Sequence, residues 1–478
     1  LLVVPIGAAA GSATGLTGSQ AVAGGGPAGV NGPASQSGPN PCVGTMERTP
    51  DRTTLFSIQG ARGSSKTSAM VVGAHPNGSI VGVHNDTAAG RWWSYDIDRL
   101  PNGNILLPTT QSRHTIIEEV DPETGEHVSE RHFRDVLDTH DVDLINGDEL
   151  VMNDMSHDGE DRLLVYNLTR EAVVWEYYFA NYTEHYPHDG GGEFGGDWTH
   201  NNDVDQIRPG VFMVSVRNFD KVVAIDRSSK EVLWTLGEDD NTSILFEQHN
   251  PDYLESEDGN ATVLVADSRN DRVVEYEREG DSWNQTWAVR GGGLSEPRDA
   301  DRLPNGNTLI ADRRAHRIVE VTPEGDVVWE VYSPWQPYDV ERLGTGDESS
   351  GPTMADAGAT GTVEATGSAS FSTADIEACY DYLTSVDSQQ LIPDDELDAT
   401  PVTDATDSGG DGTDGDAGDG ADGSTERPDD TESASGDGAD SVLGTETSGS
   451  GPSPLGPLLA LAAVLAFVVG VVTRRSRR

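Results

Sequence analysis

Basic residues are scarce in this 478-residue chain: 31 Lys and Arg stand against 82 Asp and Glu, a formal net charge of -51. A surface of that sign cannot hold a phosphate backbone, so nucleic acid is not an expected partner. A carboxylate excess on this scale keeps a protein soluble in concentrated salt, where screening cancels self-repulsion, and it points to a halophilic source. Cysteine is nearly absent. Cys42 and Cys379 are the only two, which excludes a C-x-x-C metal site and leaves room for one disulfide in an exported chain. Several chemistry-bearing motifs are missing too: there is no G-x-x-x-x-G-K-[ST], no G-x-G-x-x-G after a strand, and no Ser-His-Asp set with a nucleophile elbow. No cofactor and no metal are expected.

Long apolar runs are confined to the ends. Pro454–Val472 is just long enough to span a bilayer, and Arg474, Arg475, Arg477 and Arg478 follow it. The expectation is a transmembrane helix over 454–473 with a cytoplasmic basic tail at 474–478 and everything before it outside. The chain opens without Met on the apolar stretch Leu1–Ala10. Residues 1–41 therefore read as the remnant of a signal segment or N-terminal anchor plus a flexible linker. Residues 393–453 are Asp, Gly, Thr and Ser with almost nothing apolar, a disordered acidic stalk. Seven N-x-[ST] sequons, at Asn77, Asn85, Asn167, Asn181, Asn241, Asn260 and Asn284, suit an exported glycoprotein. The expected address is the cell membrane, with the body extracellular.

Between these ends one signature recurs six times: YDIDRL, HDVDLI, NDVDQI, HNPDYL, RDADRL and YDVERL. Its acidic anchors, Asp98, Asp143, Asp205, Asp252, Asp301 and Glu341, are 45, 62, 47, 49 and 40 residues apart. Each anchor leads into a turn and short β-rich runs; in several units these end in a Trp-containing strand such as VVWEY, EVLWTL, NQTWAV or DVVWEV. Four strands at this period predict an all-β, six-bladed β-propeller over 42–345. The last unit, at Tyr338, lacks outer strands. Thr54–Gln59 and Ala69–His84 supply them from the N-terminal side, closing the ring and removing sheet edges. Residues 346–392 form a C-terminal extension with a short helix at Thr373–Leu383. A Cys42–Cys379 bond would lock the closure.

Three residues before each anchor stand Tyr95, His140, Asn202, His249, Arg298 and Tyr338. Equivalent positions in equivalent blades point the same way, so these side chains form one ring, joined in blade 3 by His200 two residues earlier. Convergent His, Asn, Arg and Tyr mark a site, whereas the nearly invariant anchors read as structural, bonded to their own turns. Neutral imidazole is a nucleophile or general base near neutral pH, and Arg and Asn supply donors to an anionic group in transfer. The insert Ala180–Thr199, with His185 and His188, reads as a candidate lid, and a metal role for that His pair is a minor alternative to the expected absence of a metal.

The motifs HDVDLI, WTHNN (Trp198–Asn202), VSVRNFDKVVAID (Val214–Asp226) and EQHNPD (Glu247–Asp252) resemble the arylsulfotransferases, most closely their exported haloarchaeal branch. The resemblance runs from about Cys42 to Leu343. It implies a six-bladed propeller with a central-channel site, and sulfuryl transfer from a phenolic sulfate to a phenol through a sulfated histidine. By position it implies His249 as that histidine, His140 and His200 as assistants, and Asn202 and Arg217 as ligands of the sulfuryl oxygens. Arg298, Tyr95 and Tyr338 complete the expected wall, and the partners are a small aryl sulfate and a phenol. Arg217 has counterparts at Arg269 and Arg314, which leaves a structural pairing role equally open. The alternative is a non-catalytic NHL-like propeller that binds a ligand or protein; ADSRNDRVVEY (Ala266–Tyr276) would pass for its repeat. A quinone-cofactor dehydrogenase would need more blades.

Overall fold

Short β-branched runs separated by tight polar turns leave each repeat one economical fold, an antiparallel meander that buries both faces against its neighbours. In the third repeat the strands are Asn201–Arg208, Val211–Val216, Lys221–Asp226 and Val232–Gly237. Gly210, at φ 77°, makes the first turn in a conformation that favours glycine. Six such sheets form an all-β propeller in the computed structural model, which describes residues 40–62, 65–155 and 160–397. The expected segment at 1–39, the membrane helix, the basic tail and most of the stalk lie outside the described residues. Among the described residues no helix is long and apolar enough to cross a membrane.

The sixth blade takes its inner strand, Pro337–Arg342, from the C-terminal side and pairs it with Thr54–Ile58, followed by Met70–Ala74 and Ile80–Asn85. Two blades carry a fifth strand that the four-strand repeat did not indicate. Val43–Met46 adds to the outside of blade 5, antiparallel to Val327–Tyr332, and Gly361–Glu364 adds in parallel to Ser282–Arg290 of blade 4. Both cover edges that would otherwise invite pairing with another chain.

The outer-strand tryptophans join blade to blade. Trp175 donates to the Arg227 carbonyl (2.7 Å), Trp287 to Pro323 (3.0 Å) and Trp329 to Pro76 (2.9 Å), each in the blade that follows. An indole there fills the gap between sheets and satisfies its only donor at a turn. After blade 6 the chain passes beneath the channel and winds outside the ring. Helix Thr373–Leu383 brings Cys379 to Cys42, and the two are disulfide-bonded among Phe56, Trp329, Val340 and Leu383. Leu391 and Ile392 are fully buried beside Leu55 and Val71, and Glu396 accepts from the Thr53 amide at 2.8 Å.

The disulfide ties segments 337 residues apart. Cys379→Ser is expected to cost about 2–4 kcal/mol of stability. Thermal unfolding should register this as a lower midpoint, reproduced in the parent protein by adding a reductant.

Candidate functional site

Six strands that begin around one axis must each turn sharply into it. Two residues before every ring member the backbone is left-handed without a glycine: Trp93, Asp138, His200, Glu247, Glu296 and Gln336 have φ of 49, 52, 44, 47, 48 and 73°. Each costs roughly 1–3 kcal/mol and persists only where the surroundings over-determine it. Buried carboxylates at the ends of second strands do so. Asp154, Asp267 and Asp312 accept from the amides of Leu137, Phe246 and Ser295, one residue before this turn, at 2.7–2.9 Å. Each is held in turn by an arginine, Arg162, Arg272 or Arg317, at 2.6–2.8 Å.

A bulge follows directly. Blade 3 pairs Asn201 with Val216 and Asp203 with Ser215, blade 5 pairs Pro297 with Asp312 and Asp299 with Ala311, and one extra residue sits between each pair. Blades 4 and 6 shift register at the same place. Strict alternation would send the ring residue to the face of Val204, Ala300 and Val340, which pack in the cores between blades. The extra residue turns it into the channel instead.

The ring therefore closes. Tyr95 stacks on His140 with ring centroids 4.0 Å apart, and Tyr338 lies edge-on to Tyr95, His140 and His249 at 5.2, 5.6 and 6.0 Å. The Tyr338 hydroxyl is 3.3 Å from His140 Nδ1 and from the Asn202 carbonyl. His200 meets His140 edge-on at 5.3 Å and takes Arg217 Nη1 on its Nε2 at 2.8 Å. Arg298 Nη1 lies against the edge of the His249 ring, 2.7 Å from Nδ1 and in contact with Nε2. Asn202 donates from Nδ2 to the Gln248 carbonyl at 3.1 Å, and its Oδ1 is buried without a partner. All eight residues expected in the site are joined in one network.

The hydrogen bonds fix the histidine tautomers. His249 Nδ1 is 3.1 Å from the Glu247 carbonyl, which can only accept, and 3.0 Å from Ser268 Oγ, whose own proton goes to the Pro297 carbonyl at 2.6 Å. Nδ1 therefore carries the hydrogen, and Nε2 turns its lone pair to Arg298 Nη1. In His200 the Nδ1 hydrogen goes to Asp197 Oδ1 at 2.6 Å. Burial, with the neighbouring cations and histidines, holds His249 and His140 well below the usual imidazole range and lowers His200. Burial and the adjacent Arg313 pull Arg298 down to about 9. The same burial pushes the Tyr95 and Tyr338 hydroxyls well up, so both stay protonated.

Four sequence readings change. His200 reaches the site through its left-handed turn, not by sharing a strand face with Asn202, because strand pairing begins at Asn201. Arg217 is not equivalent to Arg269 and Arg314: strand pairing aligns it with Ser268 and Arg313, and it contacts His200 and lies 3.4 Å from Asp197, whereas Arg269 and Arg314, one place further on, are half-exposed and pair with Glu296 at 2.8 Å. Three anchors bond beyond their own turns. Asp98 and Asp143 accept from the amides of Leu144 and Gln206 in the following blade, and Asp252 from Ser349 beneath the channel. The insert Ala180–Thr199 is wedged in place, with Tyr186 and Trp198 fully buried against Phe179 and Phe219, so it forms a rim rather than a free flap. Its His188 stacks on Phe194, and neither His185 nor His188 belongs to a metal-capable cluster among the described residues. Sequence reasoning missed Asp197, Asp138 (2.8 Å from the Tyr95 hydroxyl) and Ser268. For Asp138 the signal was present: it precedes His140 as His200 precedes Asn202.

This geometry has a counterpart in sequence. Residues 82–262 match the arylsulfotransferase (ASST) family model. The ASST-matched span holds Tyr95, His140, His200, Asn202, Arg217 and His249, and ends before Arg298 and Tyr338. Among curated proteins no sequence matches the chain. Similar solved structures include a Bacteroides caccae protein of unknown function (13% identity, 66% of this chain and 98% of that one, TM-score 0.42). Others are a Lactobacillus plantarum protein (12%, 61% and 99%, 0.41) and Kuenenia stuttgartiensis hydrazine synthase (15%, 53% and 70%, 0.35).

The left-handed collar makes a direct prediction. Gln336→Gly should be nearly neutral in denaturant unfolding, while Gln336→Val, β-branched at φ 73°, should lose about 1–3 kcal/mol.

Proposed function

We propose that the chain is an aryl sulfotransferase that moves a sulfuryl group from a phenolic sulfate ester to a phenol through a sulfated His249. The observation that carries this reading is the pairing of His249 with Arg298. A neutral imidazole stands with Nε2 against the Arg298 guanidinium, which is partly buried, has an Nε without a partner, and makes no ion pair with a carboxylate among the described residues. A partly desolvated cation without a counter-anion is a receptor for one, and an adjacent unprotonated nitrogen is a nucleophile for what it binds.

In the first half-reaction Arg298 turns from the imidazole to the sulfuryl oxygens, Nε2 attacks sulfur, the N–S bond forms, and the S–O bond to the aryl group breaks as the phenolate leaves with the electron pair. Phenolate leaves readily because its conjugate acid has a pKa near ~10. Arg298 and Arg217, with the amide hydrogen that Asn202 has free, face the charge spread over the sulfuryl oxygens. In the second half-reaction the acceptor oxygen attacks sulfur and the pair returns to Nε2. His200, oriented by Asp197, takes the acceptor proton at Nε2 once Arg217 has turned to the sulfuryl group, and His140 stacked on Tyr95 walls the aryl ring. The propeller would work outside the cell, tethered through 454–473, on small aryl substrates.

A chromogenic aryl sulfate with a phenol acceptor, at high salt, tests this. Phenolate release should fall roughly a thousandfold or more in His249→Ala and about a hundredfold in His200→Ala, with both variants folded. Turnover unaffected by His249→Ala would overturn the sulfohistidine route, and no turnover across many donors would replace the enzyme by a ligand-binding propeller. The pH profile adds a second check. Groups held below their ordinary pKa stay neutral as the medium acidifies, so donor kcat/KM should remain flat from neutrality to below ~6.5, the usual histidine value.

A further inference from the structure

Beneath the histidine layer the channel turns acidic, because the bulge leaves the residues one and three places after each ring member facing the axis. Asp252 of blade 4 and Asp299 and Asp301 of blade 5 bring carboxylate oxygens within 4.8 Å of one another while only 4, 3 and 1% exposed. Asp299 is held on both sides, accepting from Ala300 N at 2.7 Å and Val340 N at 3.0 Å, and Asp252 accepts from Ser349 N at 2.8 Å. Asp301 has no partner on either oxygen. The nearby Arg302 is already committed to Glu275 at 3.0 Å.

Three buried carboxylates at this spacing must be neutralised by protons or by a cation. Burial raises all three acids above the usual range, and repulsion from the neighbouring carboxylates adds to it at Asp299 and Asp301. A protonated Asp301, however, would donate to an acceptor in hydrogen-bond range, and neither of its oxygens has one. Separations beyond hydrogen bonding but within 4.8 Å match oxygens that share an ion at about 2.3–2.6 Å each. The donors are all oxygen, which selects a hard cation over zinc or copper.

We propose that Asp252, Asp299 and Asp301 form a binding site for a divalent cation of the Ca2+ class in the channel floor. The arrangement recurs around the axis, where Asp141 meets Asp203 and Asp205, and where Asp96 meets Asp339 and Asp347. Each set lies between two neighbouring blades, so a bound ion would join them. The mixed group His84, Asp86, Glu118 and His127 is a different case. Arg91 contacts Glu118 and lies 3.5 Å from Asp86, and His127 is pushed up to about 10 by these carboxylates, so cations of the protein already balance it. If the function proposed above holds, an ion in the floor also removes negative charge below the place where a sulfate must bind.

The test uses the full chain purified in concentrated monovalent salt without chelator. Elemental analysis should find at least one divalent cation per chain. EGTA should lower the thermal unfolding midpoint, and Ca2+ should restore it. Asp301→Asn, nearly isosteric, should raise the Ca2+ concentration needed for that restoration by roughly tenfold or more. No bound divalent cation, with unfolding indifferent to EGTA and Ca2+, would overturn the proposal in the parent protein alone, whether or not the variant folds. So would a Ca2+ response that Asp301→Asn leaves unchanged. None of these readouts involves sulfuryl transfer, so failure of the enzymatic reading leaves them intact.

Discussion

The entry of six strands onto one axis governs the molecule. A strand approaching the axis cannot continue straight, since its neighbours arrive in the same few ångströms. The left-handed residue and the bulge solve this together: one turns the chain inward, the other resets which face looks into the channel. Six strained turns would cost on the order of 6–18 kcal/mol if unsupported. The recurring Asp–Arg pairs at the second-strand ends supply that support, each carboxylate accepting an amide beside the turn. The ring of functional side chains is thus a product of backbone geometry that every blade shares, which frees the residue at each ring position to vary.

The same geometry stacks two layers of opposite character. The upper layer is neutral imidazole and phenol with Arg298 and Arg217 among them, held neutral by burial and by the cations. The lower layer is carboxylate. Fixed charges in a poorly solvated channel interact strongly across a few ångströms. Each layer therefore sets the conditions of the other: Asp203 and Asp141 push the Tyr338 hydroxyl up, while Arg298 pulls it down. Proton and anion affinity in the upper layer depend on how the lower one is neutralised.

The blade count, the closure and the ring positions were legible in the sequence because each is periodic, and a period survives without knowledge of contacts. What was not legible depends on local breaks in the period. Alternation alone places His200 beside Asn202 on a strand, whereas a left-handed turn carries it. The anchors read as turn-bonding because a repeat describes one blade at a time, while Asp98 and Asp143 bond across to the next. Asp197 and Ser268 belong to no repeat position that carries a chemical signal, and only the folded chain brings them to His200 and His249. The edge strands Val43–Met46 and Gly361–Glu364 lie outside the repeat altogether.

Blade 4 departs from its siblings at the residues that flank His249. The position after the ring member is acidic in the other five blades, at Asp96, Asp141, Asp203, Asp299 and Asp339, and is Asn250 here. A carboxylate there would stand next to His249, favour its protonated form and repel an anionic donor. The next residue is Pro251, which has no amide hydrogen. In blades 2, 3 and 6 that amide, on Val142, Val204 or Val340, bonds the carboxylate of the preceding blade, Asp96, Asp141 or Asp299. Asp203, which precedes blade 4, accordingly keeps a bare Oδ1. Ala300 of blade 5 follows the neutral Asn250, and its amide turns to its own Asp299 instead. Ile97 of blade 1 likewise bonds its own Asp96, so the link is kept in blades 2, 3 and 6, while blade 4 alone lacks both the acidic residue and the amide. It is the blade that carries His249, and on the function proposed above the break keeps a carboxylate away from the imidazole that would meet an anionic substrate.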